Sequence, residues 1–122
     1  MVSRAYGNSM TLETLIKAIE DGREPDRDTL RDAVRVLLGE LSRLAPGRSV
    51  EVRVPPFGAV QCIDGPRHTR GTPPNVIETD PVTWVKVATG ALSWEDAVAS
   101  GVIRVSGVRA DLSPYLPLTG SE

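Results

Sequence analysis

The chain holds one cysteine, Cys62, one histidine, His68, and one phenylalanine, Phe57, among 122 residues. A single cysteine excludes an internal disulfide and is compatible with a reducing compartment. With no second histidine and no further cysteine, a zinc site would need several carboxylates, which is an atypical donor set. Aromatic residues make up only 4% of the chain, which argues against a platform on which bases could stack. The net charge is −2, so composition supplies no basic footprint for DNA or RNA. No apolar run approaches the ~18 residues of a membrane span. The start, MVSRAYGNSM, has no long apolar segment after Arg4 and does not read as a secretory signal. These absences make the cytoplasm the expected location, with no stable membrane insertion, no nucleic-acid partner, no metal and no cofactor. The chain also carries no Gly-rich phosphate loop or dinucleotide fingerprint, no internal repeat and no low-complexity tract.

What remains is an ordinary core. Apolar residues are 40% and charged residues 25% of the chain, and its length implies one domain able to bury roughly two-thirds of its unfolded surface. Leu12, Leu15, Ile16 and Ile19 fall on one face of a short helix that Gly22 can end. Such a helix is marginal alone, so its stripe needs a partner: this domain, which is the expected one, or a second chain. After the polar break REPDR, Asp26 can cap a longer helix over about 27–45. Its stripe is Leu30, Val34, Leu37, Leu38, Leu41 and Leu44; Arg27, Arg31, Arg35 and Arg43 sit mostly off it, as a solvated row.

Most of the strand signal lies in residues 50–80. Val50, Val52 and Val54 alternate with Glu51 and Arg53, a half-buried strand. Pro55-Pro56-Phe57-Gly58 is a turn. A return strand follows over 59–63, with Val60 and Cys62 on one face and Ala59, Gln61 and Ile63 on the other. Asn75–Thr79 reads as a third strand. Asp80-Pro81 then opens a helix stopped by Gly90, and Ser93 caps a second helix stopped by Gly101. Residues 102–106 form a fourth strand, read with Ile103 and Val105 on opposite faces, and residues 111–116 a short helix or turn. Grouped strands with helices gathered around them argue for an α+β domain, the helices on one face of a mostly antiparallel sheet.

Two features exceed what such a fold requires. Cys62 and His68 can be imagined as a nucleophile and base, but nothing supplies the orienting third group, and a cysteine inside a strand is better read as a small core residue. Arg67, His68 and Arg70 crowd one loop, RHTRG, beside glycine and prolines. Arginines there either bond loop carbonyls and Asp64, Glu78 or Asp80, or fork onto a phosphate or carboxylate. Trp84 and Trp94 serve core packing or an apolar ligand cavity equally well, since both need the same residue types.

The segment ETDPVTWVKVATGALSWEDAVASGVIRVSGVRADLSPYLPL resembles the C-terminal half of sterol carrier protein 2-like domains. The matching positions are Asp80, Gly90, Gly101, Ile103, Val105 and Gly107. The block VRVPPFGAVQCIDGPRHTRGTPPNVIETDP resembles the bacterial branch of that superfamily, the bacterial sterol carrier orthologue domain. Together the resemblance covers about Leu30–Leu118. It divides the chain into an N-terminal extension with a short amphipathic helix (1–24) and the domain proper (25–122). It implies a sheet of about five strands, one more than the four read from the residues, with the fifth around Thr69–Pro74. It also implies non-enzymatic binding of a fatty acid, acyl-CoA or sterol-like ligand between sheet and helices, with no catalytic residues and no cofactor. On that reading Val54, Val60, Trp84, Trp94, Val98, Leu112 and Leu116 border the cavity, and Arg67, His68 and Arg70 meet a head group. The alternative is an interaction or accessory module, because similar domains end enzymes that resemble mycothiol-dependent maleylpyruvate isomerases. A homodimer through the Leu12–Ile19 helix is a further expectation.

Overall fold

The computed structural model describes residues 9–65 and 75–118. In chain order they form α1 (Ser9–Glu20), α2 (Arg27–Leu44), β1 (Val50–Val54), β2 (Gly58–Cys62), β3 (Val76–Thr79), α3 (Pro81–Thr89), α4 (Trp94–Ala99) and β4 (Ile103–Ser106), then a 3₁₀ turn at Ser113–Tyr115. The caps form where the side chains predict them. Asp26 accepts from the Thr29 N–H, Asp80 from the Thr83 N–H with Pro81 in the first turn, and Ser93 from the Asp96 N–H.

The four strands make one sheet in the order β2-β1-β3-β4. β1 pairs antiparallel with β2 and parallel with β3, and β3 pairs antiparallel with β4. The mixed α+β class and the predominance of antiparallel pairing hold. Four strands are present among the described residues; the fifth, expected around Thr69–Pro74, lies outside them. One strand-face expectation is corrected. Ile103 pairs with Thr79 and Val105 with Ile77. With a side-chain period of two, Ile103 and Val105 share a face rather than oppose each other. Ile103 is buried, while Val105 stays 41% exposed at the sheet edge.

The period-two pattern of β1 sorts its residues cleanly. Val50, Val52 and Val54 are buried, and Glu51 and Arg53 are partly exposed and paired with each other at 3.0 Å. Glu78 and Arg104, opposite each other on β3 and β4, pair at 3.0 Å. The buried face of the sheet shares one core with α2 and α3: Val34, Leu37, Leu38 and Leu41 from α2, Trp84, Val85, Val87 and Ala88 from α3, and Leu112 and Leu118 from the C-terminal segment. Full burial of such side chains, each worth roughly 1.5–3 kcal/mol, is what drives this layer together.

The α1 stripe packs on its own domain. Leu15 and Ala18 are buried, and Leu12, Ile16 and Ile19 pack partly buried against the same core. The arginine row of α2 is also less idle than a solvated face. Arg35 donates through Nε to the Phe57 carbonyl at 2.9 Å, and the Arg27 guanidinium lies 5.0 Å from the Phe57 ring centroid. These contacts clamp the β1–β2 turn onto α2, through a charge-assisted hydrogen bond and a cation–π contact. Arg31 pairs with Asp28 and Asp32, and Arg43 with Glu40.

Candidate functional site

The residues expected around a cavity divide into two groups. Val54, Trp84 and Leu112 are each at most 1% exposed and belong to the core layer. Trp84 is pinned there, its indole N–H donating across to the Val34 carbonyl of α2 at 3.3 Å. A buried indole with its one donor used is a packing element. Val60, Trp94, Val98 and Leu116 are only partly buried against that core.

Two of this second group, Trp94 and Leu116, meet at a surface cleft of about 240 Å³. Its walls are Val87, Leu92, Trp94, Leu116 and Pro117, and its polar groups are Ser93, Glu95 and Ser113. Local chemistry builds each wall. Gly90 ends α3 in the left-handed region at φ 89°, and a Cβ there would stand 3.3 Å from Pro117 Cβ. Both the backbone angle and the close approach of the tail therefore require glycine. The Ser93 cap fixes the first turn of α4 and with it Trp94. The tail is tied down by the Tyr115 N–H donating to the Leu112 carbonyl and the Leu118 N–H to the Ala88 carbonyl, at 2.9 and 2.8 Å.

A second cleft, about 370 Å³, lies between α1 and the start of α2, over Leu15 and Ala18 and rimmed by Arg23, Glu24 and Asp26. Arg23 is bound there to Asp21 at 3.2 Å, and the Asp26 carboxylate is held below its ordinary range by the Thr29 N–H and hydroxyl it accepts from. A third, about 250 Å³, is lined by Pro55, Thr79 and Val102 with Glu78, Asp80 and Arg104.

Arg67, His68 and Arg70, the expected head-group residues, lie outside the described residues. Their two anchor points do not. Gly65 sits against Ser49 and the Arg109 side chain. Asn75 is buried, donating from Nδ2 to the Ser49 carbonyl at 2.8 Å and accepting at Oδ1 from the Arg109 N–H at 2.9 Å. Its own carbonyl accepts from the Glu51 N–H. One side chain thus joins the start of β1, the start of β3 and the loop after β4. Sequence reading took Asn75 as a strand end and missed this role; an asparagine at a strand boundary is too common to signal it. The same region holds a backbone outlier: Ile63, at the exit of β2, has φ 66°. A β-branched residue there is strained. The strain is locked in by the Ile63 N–H donating to the Ala45 carbonyl and by the Ser49 N–H and hydroxyl donating to the Ile63 carbonyl.

Catalytic chemistry gains little from the geometry. Cys62 is buried, and burial pushes its thiol up to about 11, so it carries no appreciable thiolate near neutrality. Among the described residues no group of three or more His, Cys, Asp or Glu side chains could hold a metal ion. No helix among them is long and apolar enough to cross a membrane.

The fold defines a small α+β domain, and of its three clefts the one at Trp94 and Leu116 has mainly apolar walls with a few polar groups. A family model described as bacterial SCP ortholog matches residues 26–118, and the chain belongs to that family. The match begins at the α2 cap and leaves α1 outside it. No curated protein matches the chain. Membership of this sterol carrier protein-like family suggests a lipid-binding domain.

Proposed function

We propose that this domain binds an apolar, lipid-type ligand, such as a fatty acid, an acyl-CoA or a sterol-like molecule, without transforming it. The observation that carries the reading is the cleft at Trp94 and Leu116, built within the family-matched residues from two side chains that the resemblance already placed at a ligand. Because Val54, Trp84 and Leu112 fill the layer between sheet and helices, the apolar part of the ligand enters from the Trp94 side. Val60 and Val98 are the remaining partly buried residues of the expected lining. Domains of the sterol carrier type are generally non-catalytic carriers, which supports the absence of a reaction.

Topology supports a role for Arg67, His68 and Arg70 at the head group. Their segment leaves at Gly65 and rejoins at Asn75, beside Arg109. Guanidinium groups there would fork onto a carboxylate or phosphate.

The test uses tryptophan fluorescence and native mass spectrometry. Trp84→Phe leaves Trp94 as the only tryptophan. Fatty acids and acyl-CoA are expected to quench it at micromolar concentrations and to be retained as a one-to-one complex. Trp94→Ala, or Arg67→Ala with Arg70→Ala, weakens retention. Loss of quenching and of retained lipid across chain lengths would reject the reading. A second reading, an interaction or accessory module for a mycothiol-dependent isomerase or transferase, gains from one observation. The 240 Å³ cleft lies below the ~300 Å³ at which small-molecule sites usually begin. It predicts no lipid retention but stimulation of such an enzyme by the purified domain.

A further inference from the structure

The three clefts differ in charge. Those at α1 and beside β4 each hold a guanidinium, Arg23 and Arg104, and each is neutralised by an adjacent carboxylate, Asp21 at 3.2 Å and Glu78 at 3.0 Å. The cleft at Trp94 has no such pair. No lysine, arginine or histidine lines it, and its one ionisable side chain is Glu95. Glu95 is exposed and forms no ion pair or hydrogen bond with the described residues. Nearby groups reinforce its sign: Asp96 follows in the same turn of α4, and Asp111 accepts from the Ser113 N–H at 2.9 Å. Lys86 on α3 is tied to the wall only by its carbonyl, which accepts from the Leu92 N–H at 3.2 Å. The other polar groups of the cleft are hydroxyls. Ser93 Oγ accepts from the Asp96 N–H and keeps its own proton to donate, and Ser113 Oγ has no partner among the described residues.

We propose that this cleft selects an alcohol over a carboxylate, and that Glu95 sets the preference. The inference rests on the lipid-binding reading and narrows its ligand class: an apolar body that presents a hydroxyl to the cleft, as a sterol-like or long-chain alcohol does. A hydroxyl can donate to the Glu95 carboxylate and accept from Ser93 or Ser113. A carboxylate can only accept. It would set one negative charge beside another, with no cation in the lining to offset it. An ionised head on the same ligand therefore lies outside this cleft. Because Glu95 stands in water, the discrimination has the size of exposed charge pairs, up to about fivefold in affinity, and salt screens it.

Decan-1-ol and decanoate serve as probes, since they share a chain and differ in the head. Each is titrated near neutral pH against the full chain by native mass spectrometry and, in the Trp84→Phe background, by Trp94 fluorescence. An alcohol leaves water more readily than a carboxylate for any apolar surface, so the decisive quantity is how the ratio of the two affinities responds to residue 95. Glu95→Gln is expected to tighten decanoate by about threefold and to leave decanol unchanged or weaker. Glu95→Lys is expected to tighten decanoate further. Raising sodium chloride from about 20 mM to about 500 mM should narrow the ratio in the unaltered chain more than in Glu95→Gln. Position 95 is exposed, so both variants keep the parent's circular dichroism. Binding of both probes with a ratio indifferent to residue 95 overturns the selectivity and leaves the lipid-binding reading standing. Binding of neither probe, by either method, overturns both.

Discussion

Asn75 does more than any other single polar side chain in the described residues. Both ends of its amide are committed, to the Ser49 carbonyl and the Arg109 N–H, at a residue only 4% exposed. Asn75→Ala would leave a buried acceptor and donor unpaired, so we expect a loss of about 2–4 kcal/mol in urea unfolding. Gly47 faces a different constraint. Its φ is 147°, and a Cβ would stand 2.2 Å from the Ile63 carbonyl carbon, so no side chain fits without moving the β2 exit. Cys62 contributes through what it does not do. Its folded-state pKa is raised from the ordinary 9.0 to about 11 by burial. Below pH 9 both folded and unfolded thiols are protonated and Cys62 adds no pH dependence. Between pH 9 and 11 the unfolded thiol ionises first, so stability is lost as pH rises through that window. Cys62→Ala should flatten the alkaline slope, and the native thiol should react with an aromatic disulfide only as fast as the protein opens.

Elements add constraints that single residues do not show. The caps at Asp26, Asp80 and Ser93 and the proline at 81 were legible because a cap needs only one oxygen three residues before an N–H, which is local information. The β1 alternation was legible for the same reason. Side-chain period alone could have placed Ile103 and Val105 on one face; what it could not give is that the edge leaves one buried and the other open. Nor could helical spacing say what the α1 stripe meets. Leu15 proves to be buried against the domain, so Leu15→Ala should cost about 2–4 kcal/mol, read by chemical denaturation. A surface helix held only loosely would show a few tenths instead. The α2 arginine row is a similar case. Arg27 and Arg35 reach a phenylalanine far along the chain, a pairing that exists only once β1 and β2 have folded back.

At the scale of the molecule, the ligand cleft draws on α3, α4 and the C-terminal tail together. What the sequence by itself determined is the class, the number of strands among the described residues, the helix caps and the family, because these depend on periodicity, short-range hydrogen bonding and recurrent motifs. What only the tertiary structure decided is which apolar residues close the core and which stay open to a ligand or partner. Trp84 and Trp94 are the same residue type on consecutive helices, yet one is sealed at 1% exposure with its indole N–H bound to Val34 and the other walls a cleft. That difference is set by what packs on each helix from distant parts of the chain, and no local pattern carries it.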